Sequence, residues 1–164
     1  MLPHDLEEVL SAYYTCEFTT LNRRGEPLTW PTEPLYEPDT GKIVLTASIA
    51  FPVKALNARR NPHVSLLFSD PTGSGLDDPP AVLVQGNAQV EESLEWTPRS
   101  EAIFRQSVVR QPESAQFISN PVARKLFTFY FQRLAIVVEP RRVLVWPHRD
   151  FSVPPSEIPI SHVE

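Results

Sequence analysis

The sequence has one cysteine, little positive charge and no long hydrophobic run. Cys16 is the only cysteine among 164 residues, so the chain cannot form an internal disulfide or a thiolate metal cluster. The formal net charge of −5 argues against nucleic-acid binding, which relies on clusters of Lys and Arg. No apolar run approaches the roughly 20 residues that span a bilayer, so no membrane partner is expected. Any anion site in this chain must therefore be local.

The length of the chain and its N-terminal residues narrow the class of protein further. A chain of 164 residues, 41% of them hydrophobic and 21% charged, is typical of one soluble globular domain with its own core. The first ten residues include Asp5, Glu7 and Glu8, which do not fit the basic and then apolar pattern of a secretory signal. A cytoplasmic protein is therefore expected.

Two local patterns open the chain. Asp5 followed by Glu8, among regularly spaced apolar residues, predicts an amphipathic helix that starts with a capping box. Residues 15–21 and 27–36, joined by turn residues 22–25, predict a hairpin whose second arm is an edge or bulged strand because it contains prolines. Those prolines would leave carbonyl groups available to a ligand.

A strand that ends in hydroxyl groups is the most informative local feature. Residues 42–48 alternate, so Thr46 and Ser48 point to the same side at the end of this strand. Pro52 fits the first position of a following helix, which the Asn-Pro pair at 61–62 would end. The free N–H groups of the first helical turn should therefore lie close to both hydroxyls.

Lys54 makes this strand-to-helix turn a candidate anion site. It lies in the first turn of the short helix predicted at residues 53–60, where a cation does not offset the helix dipole. Helix N–H groups, hydroxyls and an ammonium group together are a suitable set of donors for a phosphate. The alternative is an ordinary strand–turn–helix with a solvated lysine.

The remaining patterns are mostly those of β-strands. Residues 63–69 form a largely apolar run, and residues 81–91 alternate so that one polar face needs a partner or a ligand. Residues 97–128 interrupt the β pattern and contain predicted helical pieces. Two last runs, 133–138 and 142–146, predict a closing hairpin-like pair. The predicted fold class is mainly β: a six-stranded antiparallel β-barrel with peripheral helices.

Metal and thiol chemistry have weaker support. Four scattered histidines lack the short spacing of a zinc or iron site. Three aspartates between residues 70 and 78 lack the every-second-residue oxygen ligands of a calcium loop. Cys16, in a predicted core strand, is more typical of a small buried residue than of a nucleophile. No metal site is therefore expected.

Several segments follow one another at characteristic spacings. They are Leu21-Asn-Arg-Arg-Gly-Glu-Pro27, Gly41-Lys-Ile-Val-Leu-Thr46, Lys54-Ala55 and Arg60-Asn-Pro-His-Val-Ser-Leu-Leu-Phe68, with Val84-Gln-Gly86 and Arg142-Val-Leu-Val-Trp146 in later strands. Their order resembles the pyridoxamine 5′-phosphate oxidase-like family of split-barrel flavin-binding proteins. The likeness covers residues 14–92 well and 130–147 loosely. It implies a split-barrel flavin-binding domain over residues 1–147, followed by an extended proline-rich tail over 148–164.

The resemblance implies a homodimer that binds FMN at the subunit interface and acts on a small-molecule substrate. By resemblance, residues 30–35 line the isoalloxazine ring and the ribityl chain, while Val53 and Lys54 lie at the phosphate. The implied cofactor-binding residues are Trp30, Pro31, Thr32, Leu45, Thr46, Ala47, Ser48, Val53 and Lys54. The implied phosphate position coincides with the anion site predicted from the residues themselves. No catalytic residue is assigned.

The chain departs from the oxidases of this family in three places. They have an arginine where this chain has Trp30 and a second basic residue where it has Val53, so the phosphate would meet fewer cations. They also have an Arg-x-His-like substrate signature, whereas this chain has Trp146-Pro-His-Arg149. Oxidation of pyridoxamine phosphate is therefore not expected.

Three functions stay open at this point. The first is a flavin-dependent oxidoreductase, in which FMN or alternatively a deazaflavin coenzyme carries the hydride chemistry. The second is a non-catalytic flavin-binding or stress-related interaction protein. The third is a barrel that binds no cofactor, which the missing arginine at Trp30 favours.

Overall fold

One curled antiparallel sheet makes up most of the structure. The computed structural model describes residues 2–93, 98–110 and 133–160. Within them the sheet has eight strands: β1 (Cys16–Leu21), β2 (Pro27–Thr32), β3 (Leu35–Glu37), β4 (Lys42–Ser48), β5 (His63–Phe68), β6 (Ala81–Ser93), β7 (Arg133–Trp146) and β8 (Ser156–Ile158). The α-helices of the same residues are α1 (His4–Ala12), α2 (Val53–Arg60) and α3 (Pro98–Arg110). The mainly β class is confirmed, but the predicted count of six strands is wrong.

The strand order places β4 beside β7. Along the sheet the order is β2-β1-β5-β6-β7-β4-β3, with β8 pairing to β7 off this path. Every pair is antiparallel. The sheet curls like half of a barrel, which is consistent with the predicted split barrel. As a result, the end of β4 and the start of β7 lie at the same place in the fold.

The prolines of the second predicted arm divide it into two strands. The run 27–36 is interrupted at Glu33 and Pro34, so β2 pairs with β1 while β3 pairs with β4. Both β2 and β3 are sheet edges, where a missing N–H group is tolerated. The Pro34 carbonyl is not left for a ligand, because it accepts a hydrogen bond from Gln106 Nε2 at 2.6 Å.

The predicted closing hairpin is wrong, because β7 is one continuous strand of 14 residues. Pro140 fits inside it at a bulge, where the register of the β6–β7 pair shifts between Gln85 and Gly86. The bulge brings the two backbones close together. A Cβ atom on Gly86 would lie 2.5 Å from the carbonyl oxygen of Glu139, so glycine is needed there.

The helices lie against the sheet. α1 buries three apolar side chains, Leu6, Val9 and Leu10. Its predicted capping box does not form: Pro3 is the N-cap without a side-chain hydrogen bond, so Asp5 already lies inside the helix. The first of the helical pieces predicted within residues 97–128 is found as α3, while the later pieces, predicted at residues 115–118 and 122–126, lie outside the described residues.

The core lies inside the curled sheet, and the C-terminal segment packs against it. The core is built mainly from strand residues, with the rings of Tyr13 and Phe68 meeting edge to face at 6.1 Å. Beyond β7, residues Pro147–Arg149 form a 3-10 turn, and β8 then pairs back onto β7. None of the helices in the described ranges has the length and apolar character needed to cross a membrane.

Candidate functional site

The turn from β4 into α2 forms the base of the candidate site. The Phe51 N–H group donates to the Ser48 carbonyl at 3.0 Å, which closes the turn. Pro52 is the N-cap of α2, with φ −83° and ψ 4°, and is not the first helical residue as predicted. The helix ends at Arg60, before Asn61, as the Asn-Pro pair predicts. Lys54 is therefore the second residue of an eight-residue helix that starts beside the end of β4.

The Lys54 side chain points from α2 to the edge strand β2. Its ammonium group donates to Thr32 Oγ1 at 3.2 Å, and Thr32 is only 8% exposed. Lys54 itself is half-buried, and its loss of solvation lowers its pKa. The nearby positive charge of Arg133 lowers this pKa further. Within the described part of the chain, Lys54 forms no ion pair.

Arg133 is a second cation near Lys54, and the sequence analysis did not point to it. It is the first residue of β7 and pairs in register with Ser48, the last residue of β4. Its Nη1 atom donates to Thr46 Oγ1 at 3.3 Å. The only signal in the sequence is a cation at the start of an apolar strand, which is a common surface pattern. The expectation that a phosphate here would meet fewer cations did not take this arginine into account.

A buried amide network holds α2 in place. Asn57 Nδ2 donates to Thr20 Oγ1 at 3.1 Å, and these two residues are 5% and 1% exposed. Arg60 Nη2 donates to Asn57 Oδ1 and to the Leu21 carbonyl, each at 2.9 Å. α2 is thus fastened to β1 one turn away from Lys54, which fixes the direction in which the lysine points.

The predicted residues of β2 fall on two faces of the strand. Trp30 and Thr32 share one face because side chains alternate along a strand, and Thr32 is the partner of Lys54. Trp30 is partly exposed on this face, whereas Pro31 is exposed on the other. The structure therefore brings Trp30 to the side of β2 where Lys54 approaches, and Pro31 is directed away.

The predicted residues of β4 and α2 are also divided. Leu45 and Ala47 are 0% and 1% exposed, so their side chains belong to the core. Ser48 Oγ accepts the N–H of Ala50 at 3.2 Å and so serves the turn. Val53 is 51% exposed and lines a separate surface cavity of about 340 Å³ beside the β1–β2 turn. Of these side chains, Thr46 contacts a cation, because its Oγ1 atom accepts the hydrogen bond from Arg133.

The assembled cluster consists of two cations and two hydroxyl groups. Lys54 and Thr32 come from α2 and β2, while Arg133 and Thr46 come from β7 and β4. We call these four residues the cation cluster. It can hold an anion, but it offers no carboxylate or imidazole that could act as a general base.

Other polar clusters in the described residues have structural explanations. Asp78 binds both His148 and Arg149 and accepts from Arg149 Nη2 at 3.1 Å, which fastens the C-terminal turn to the loop before β6. Cys16 is 1% exposed, and burial raises the pKa of its thiol far above the usual range. No group of three metal-ligating side chains occurs within residues 2–93, 98–110 and 133–160.

A second cavity lies away from the cation cluster. Its volume is about 490 Å³, and it crosses β1, β5, β6 and the bulge of β7. Its walls include His63, Gln85 and Asn87, and none of the predicted cofactor-binding residues is among its described lining residues. The cluster and this groove are thus separate features of the molecule.

Comparison with known proteins identifies the fold. No protein-family model matches the sequence, and no curated protein matches it. Among solved structures, a conserved hypothetical protein from Mycobacterium tuberculosis superimposes with a TM-score of 0.62 at 22% identity, covering 100% of this chain and 93% of that one. A candidate pyridoxamine 5′-phosphate oxidase from Listeria innocua gives a TM-score of 0.54 at 17% identity, with 85% and 97% covered. The chain has the pyridoxamine 5′-phosphate oxidase-like fold.

Proteins with this fold differ in the cofactors for which they are named. An F420 reductase has a TM-score of 0.55 at 14% identity, with 87% of this chain and 98% of that chain covered. A heme-binding protein from Mycobacterium smegmatis has a TM-score of 0.56 at 16% identity, with 96% and 58% covered. At these identities the likeness shows the pyridoxamine 5′-phosphate oxidase-like fold alone. The function has to be argued from the residues of the site.

Proposed function

We propose that this protein binds FMN and acts as a flavin-dependent oxidoreductase on a small-molecule substrate. The carrying observation is the half-buried ammonium group of Lys54, which has no ion-pair partner in the described part of the chain. Removing a cation from water without a counter-charge is unfavourable, and a bound anion would offset that cost. The donor set of the cation cluster fits a phosphate, which accepts charge-assisted hydrogen bonds from ammonium, guanidinium and hydroxyl groups.

The roles of the residues follow from this placement. Lys54 would hold the phosphate, with Thr32 fixing the direction of its ammonium group. Trp30 lies on the same face of β2 as Thr32 and would cover an aromatic ring by stacking. When bound, FMN supplies two-electron hydride chemistry through its isoalloxazine ring, so a catalytic acid or base from the protein is not required.

A deazaflavin coenzyme is the alternative cofactor, because it also carries a phosphate and one protein of this fold is an F420 reductase. A heme would bring two carboxylates to the same cations. The absorption spectrum of the purified protein separates these cases. Bound oxidised flavin is yellow, a deazaflavin absorbs at shorter wavelength, and a heme gives an intense Soret band. Turnover with a reduced nicotinamide would then separate an oxidoreductase from a non-catalytic flavin-binding protein.

The binding test compares two ligands and two lysines. Lys54→Ala should weaken FMN binding by about ten- to hundredfold, because it removes a charge-assisted contact worth roughly 1.5–3 kcal/mol. Riboflavin lacks the phosphate and should bind the wild type and the variant equally. Lys42→Ala is the matched control, since Lys42 lies at the opposite end of β4. Titration by flavin fluorescence quenching gives all of these affinities.

Two results would count against the proposal. Equal FMN affinities for wild type and Lys54→Ala would mean that Lys54 is an ordinary surface lysine. An equal loss of FMN and riboflavin would mean that Lys54 supports the fold and does not contact the phosphate.

We also propose that the protein is a homodimer. The β6 strand exposes Gln85 and Gln89 on the outer face of the sheet, where a second subunit would cover them. Sedimentation at micromolar concentration should give about twice the chain mass of 18.6 kDa. A mass of one chain under these conditions would contradict the proposed dimer.

A further inference from the structure

The outer side of α2 carries an exposed apolar patch. The two alanines of this helix, Ala55 and Ala58, are fully buried in the core. The larger side chains of Val53 and Leu56 are instead exposed, and Phe51, just before the helix, is 80% exposed. In an amphipathic helix the large apolar side chains normally face the core. The fold itself therefore does not cover this patch, which is a mark of an interaction site.

The patch continues into the cavity of about 340 Å³ between α2 and the β1–β2 turn. Leu28 of β2 lines this cavity opposite the turn residues Arg23 and Arg24, and Leu56 lines it from the helix. Leu28 and Leu56 are 38% and 47% exposed, so the cavity is shallow. A small-molecule site usually buries about 70–90% of its ligand, which a shallow cavity does not do. A segment of another protein, lying across the cavity, would cover these side chains.

The charge around the cavity is positive. Arg23 and Arg24 are exposed, and in the described part of the chain their guanidinium groups make no hydrogen bond or ion pair. Arg60 also lines the cavity, and its printed partners are neutral groups of β1 and α2. The turn carries one carboxylate, Glu26, which accepts a hydrogen bond from the neighbouring Asn22 amide. The surface is thus locally cationic in a chain whose net charge is −5.

We propose that this surface docks a partner protein through an acidic segment that carries large apolar side chains. We call Arg23, Arg24, Leu28, Phe51 and Leu56 the docking surface. Carboxylates of the partner would face the two arginines, and its apolar side chains would enter the cavity beside the two leucines. Arginine and aromatic residues around a desolvated apolar centre are the usual energetic core of protein interfaces.

The docking surface is preformed and separate from the cation cluster. The buried hydrogen bond from Asn57 to Thr20 fixes α2 against β1, so a partner would not have to order the helix. Lys54 points instead to Thr32 on β2, and neither residue is among the described lining of the cavity. The docking surface therefore does not depend on whether the protein binds FMN.

The experiment begins with a phage library of random dodecapeptides, selected against the wild type. The enriched peptides should combine aspartate or glutamate with leucine, phenylalanine or tryptophan. The best peptide is then titrated by calorimetry against two variants, Leu56→Ser and the double variant Arg23→Gln/Arg24→Gln. Val109→Ser and Arg141→Gln are matched controls, because they change an exposed apolar residue and an exposed arginine elsewhere.

Leu56→Ser should weaken peptide binding by about tenfold or more, because the apolar contact is lost. The double arginine variant should bind several-fold more weakly at low salt, and this difference should shrink as salt screens the exposed charges. Both controls should bind like the wild type. All of these positions are exposed, so the fold should persist in every variant.

Three results would overturn the docking surface. The first is a selection that enriches no acidic and apolar peptides. The second is equal peptide affinity of the wild type and Leu56→Ser. The third is a lower ratio of FMN affinity to riboflavin affinity in Leu56→Ser, which would assign the cavity to the cofactor site. A wild type that binds no FMN but binds the peptide at Leu56 would refute the proposed function and leave the docking surface standing.

Two further measurements test other occupants of the same surface. Sedimentation that gives two chains for the wild type and one chain for Leu56→Ser would assign the surface to a second copy of this chain. Co-sedimentation with vesicles of phosphatidylglycerol and phosphatidylcholine, lost in the double arginine variant, would assign it to an anionic membrane. Either result would overturn the proposed protein partner.

Discussion

Two residues on one side of α2 meet the first hairpin in similar ways but in opposite electrostatic settings. Lys54 and Asn57 are three positions apart, and each donates to a threonine hydroxyl, at 3.2 Å to Thr32 and at 3.1 Å to Thr20. Asn57 is neutral, 5% exposed and bonded at both ends of its amide. Lys54 is charged and half-buried, with a second cation nearby.

The difference shows what each contact does. The amide network around Asn57 satisfies its buried polar groups internally, so it stabilises the position of α2 without any ligand. The contact of Lys54 leaves a charge only partly solvated, so it has a cost in the ligand-free protein. Proteins accept such local costs mainly where a ligand binds. We therefore expect changes at Asn57 to affect stability and changes at Lys54 to affect phosphate binding.

The largest effect on stability should come from Asn57→Ala. It leaves the buried hydroxyl of Thr20 without its amide donor, which should lower the free energy of unfolding by about 1–3 kcal/mol. Urea denaturation of the variant and the wild type measures this. In the folded variant, the preference for FMN over riboflavin should persist. A loss of that preference without a loss of stability would break the distinction between the two contacts.

A double mutant sharpens the same prediction. Adding Thr20→Val to Asn57→Ala removes both partners of the hydrogen bond, so the combined loss should be smaller than the sum of the single losses. Additive losses would show that Thr20 and Asn57 are not energetically coupled.

An intermediate effect should appear at alkaline pH. The pKa of Lys54 is lowered first by burial and then by Arg133, so in the free protein Lys54 loses its proton at lower pH than an ordinary lysine. FMN affinity relative to riboflavin should fall as pH rises through that lowered value, by about tenfold or more at the limit. Lys54→Ala should lack this step. The same alkaline step in the variant would assign it to another group.

The smallest effect should be a stabilisation by Lys54→Met. At neutral pH the folded protein carries the unfavourable charge of Lys54, and methionine removes it while keeping a similar length. The melting temperature should rise, with a gain below about 1 kcal/mol. Wild-type stability should also rise with pH between the lowered folded pKa and the ordinary lysine pKa, because the unfolded chain binds more protons there. A clear fall in the melting temperature of Lys54→Met would show that Lys54 stabilises the fold.

Local patterns in the sequence were sufficient for much of the site. The helix at Val53–Arg60 and the strand at Lys42–Ser48 occur where apolar alternation, Pro52 and the Asn-Pro pair predict them. These signals act over a few residues, so they can be seen without the fold. The position of Lys54 at the start of α2 follows directly from them, and with it the hypothesis of an anion site.

Prolines in the predicted strands were misleading about where those strands end, because the effect of a proline depends on the neighbouring strand. Pro140 indicated a turn between two short strands, but β7 continues through a bulge because β6 pairs with it on both sides of that proline. Pro34 divided the second arm, because β3 finds its partner in β4 and not in β1. In each case the sequence shows a missing N–H group, and the neighbouring strand decides how the chain accommodates it.

The sequence by itself determined the strand Lys42–Ser48, the short helix Val53–Arg60 and the place of a lysine in the first turn of that helix. Only the tertiary structure decided what surrounds that lysine. Thr32 and Arg133 lie 22 positions before and 79 positions after Lys54 in the sequence. Thr32 contacts Lys54 because β2 lies beside α2, and the charge of Arg133 acts on Lys54 because the start of β7 lies beside the end of β4. Electrostatic interactions act through space, so the clustering of two cations cannot be read from local spacing along the chain.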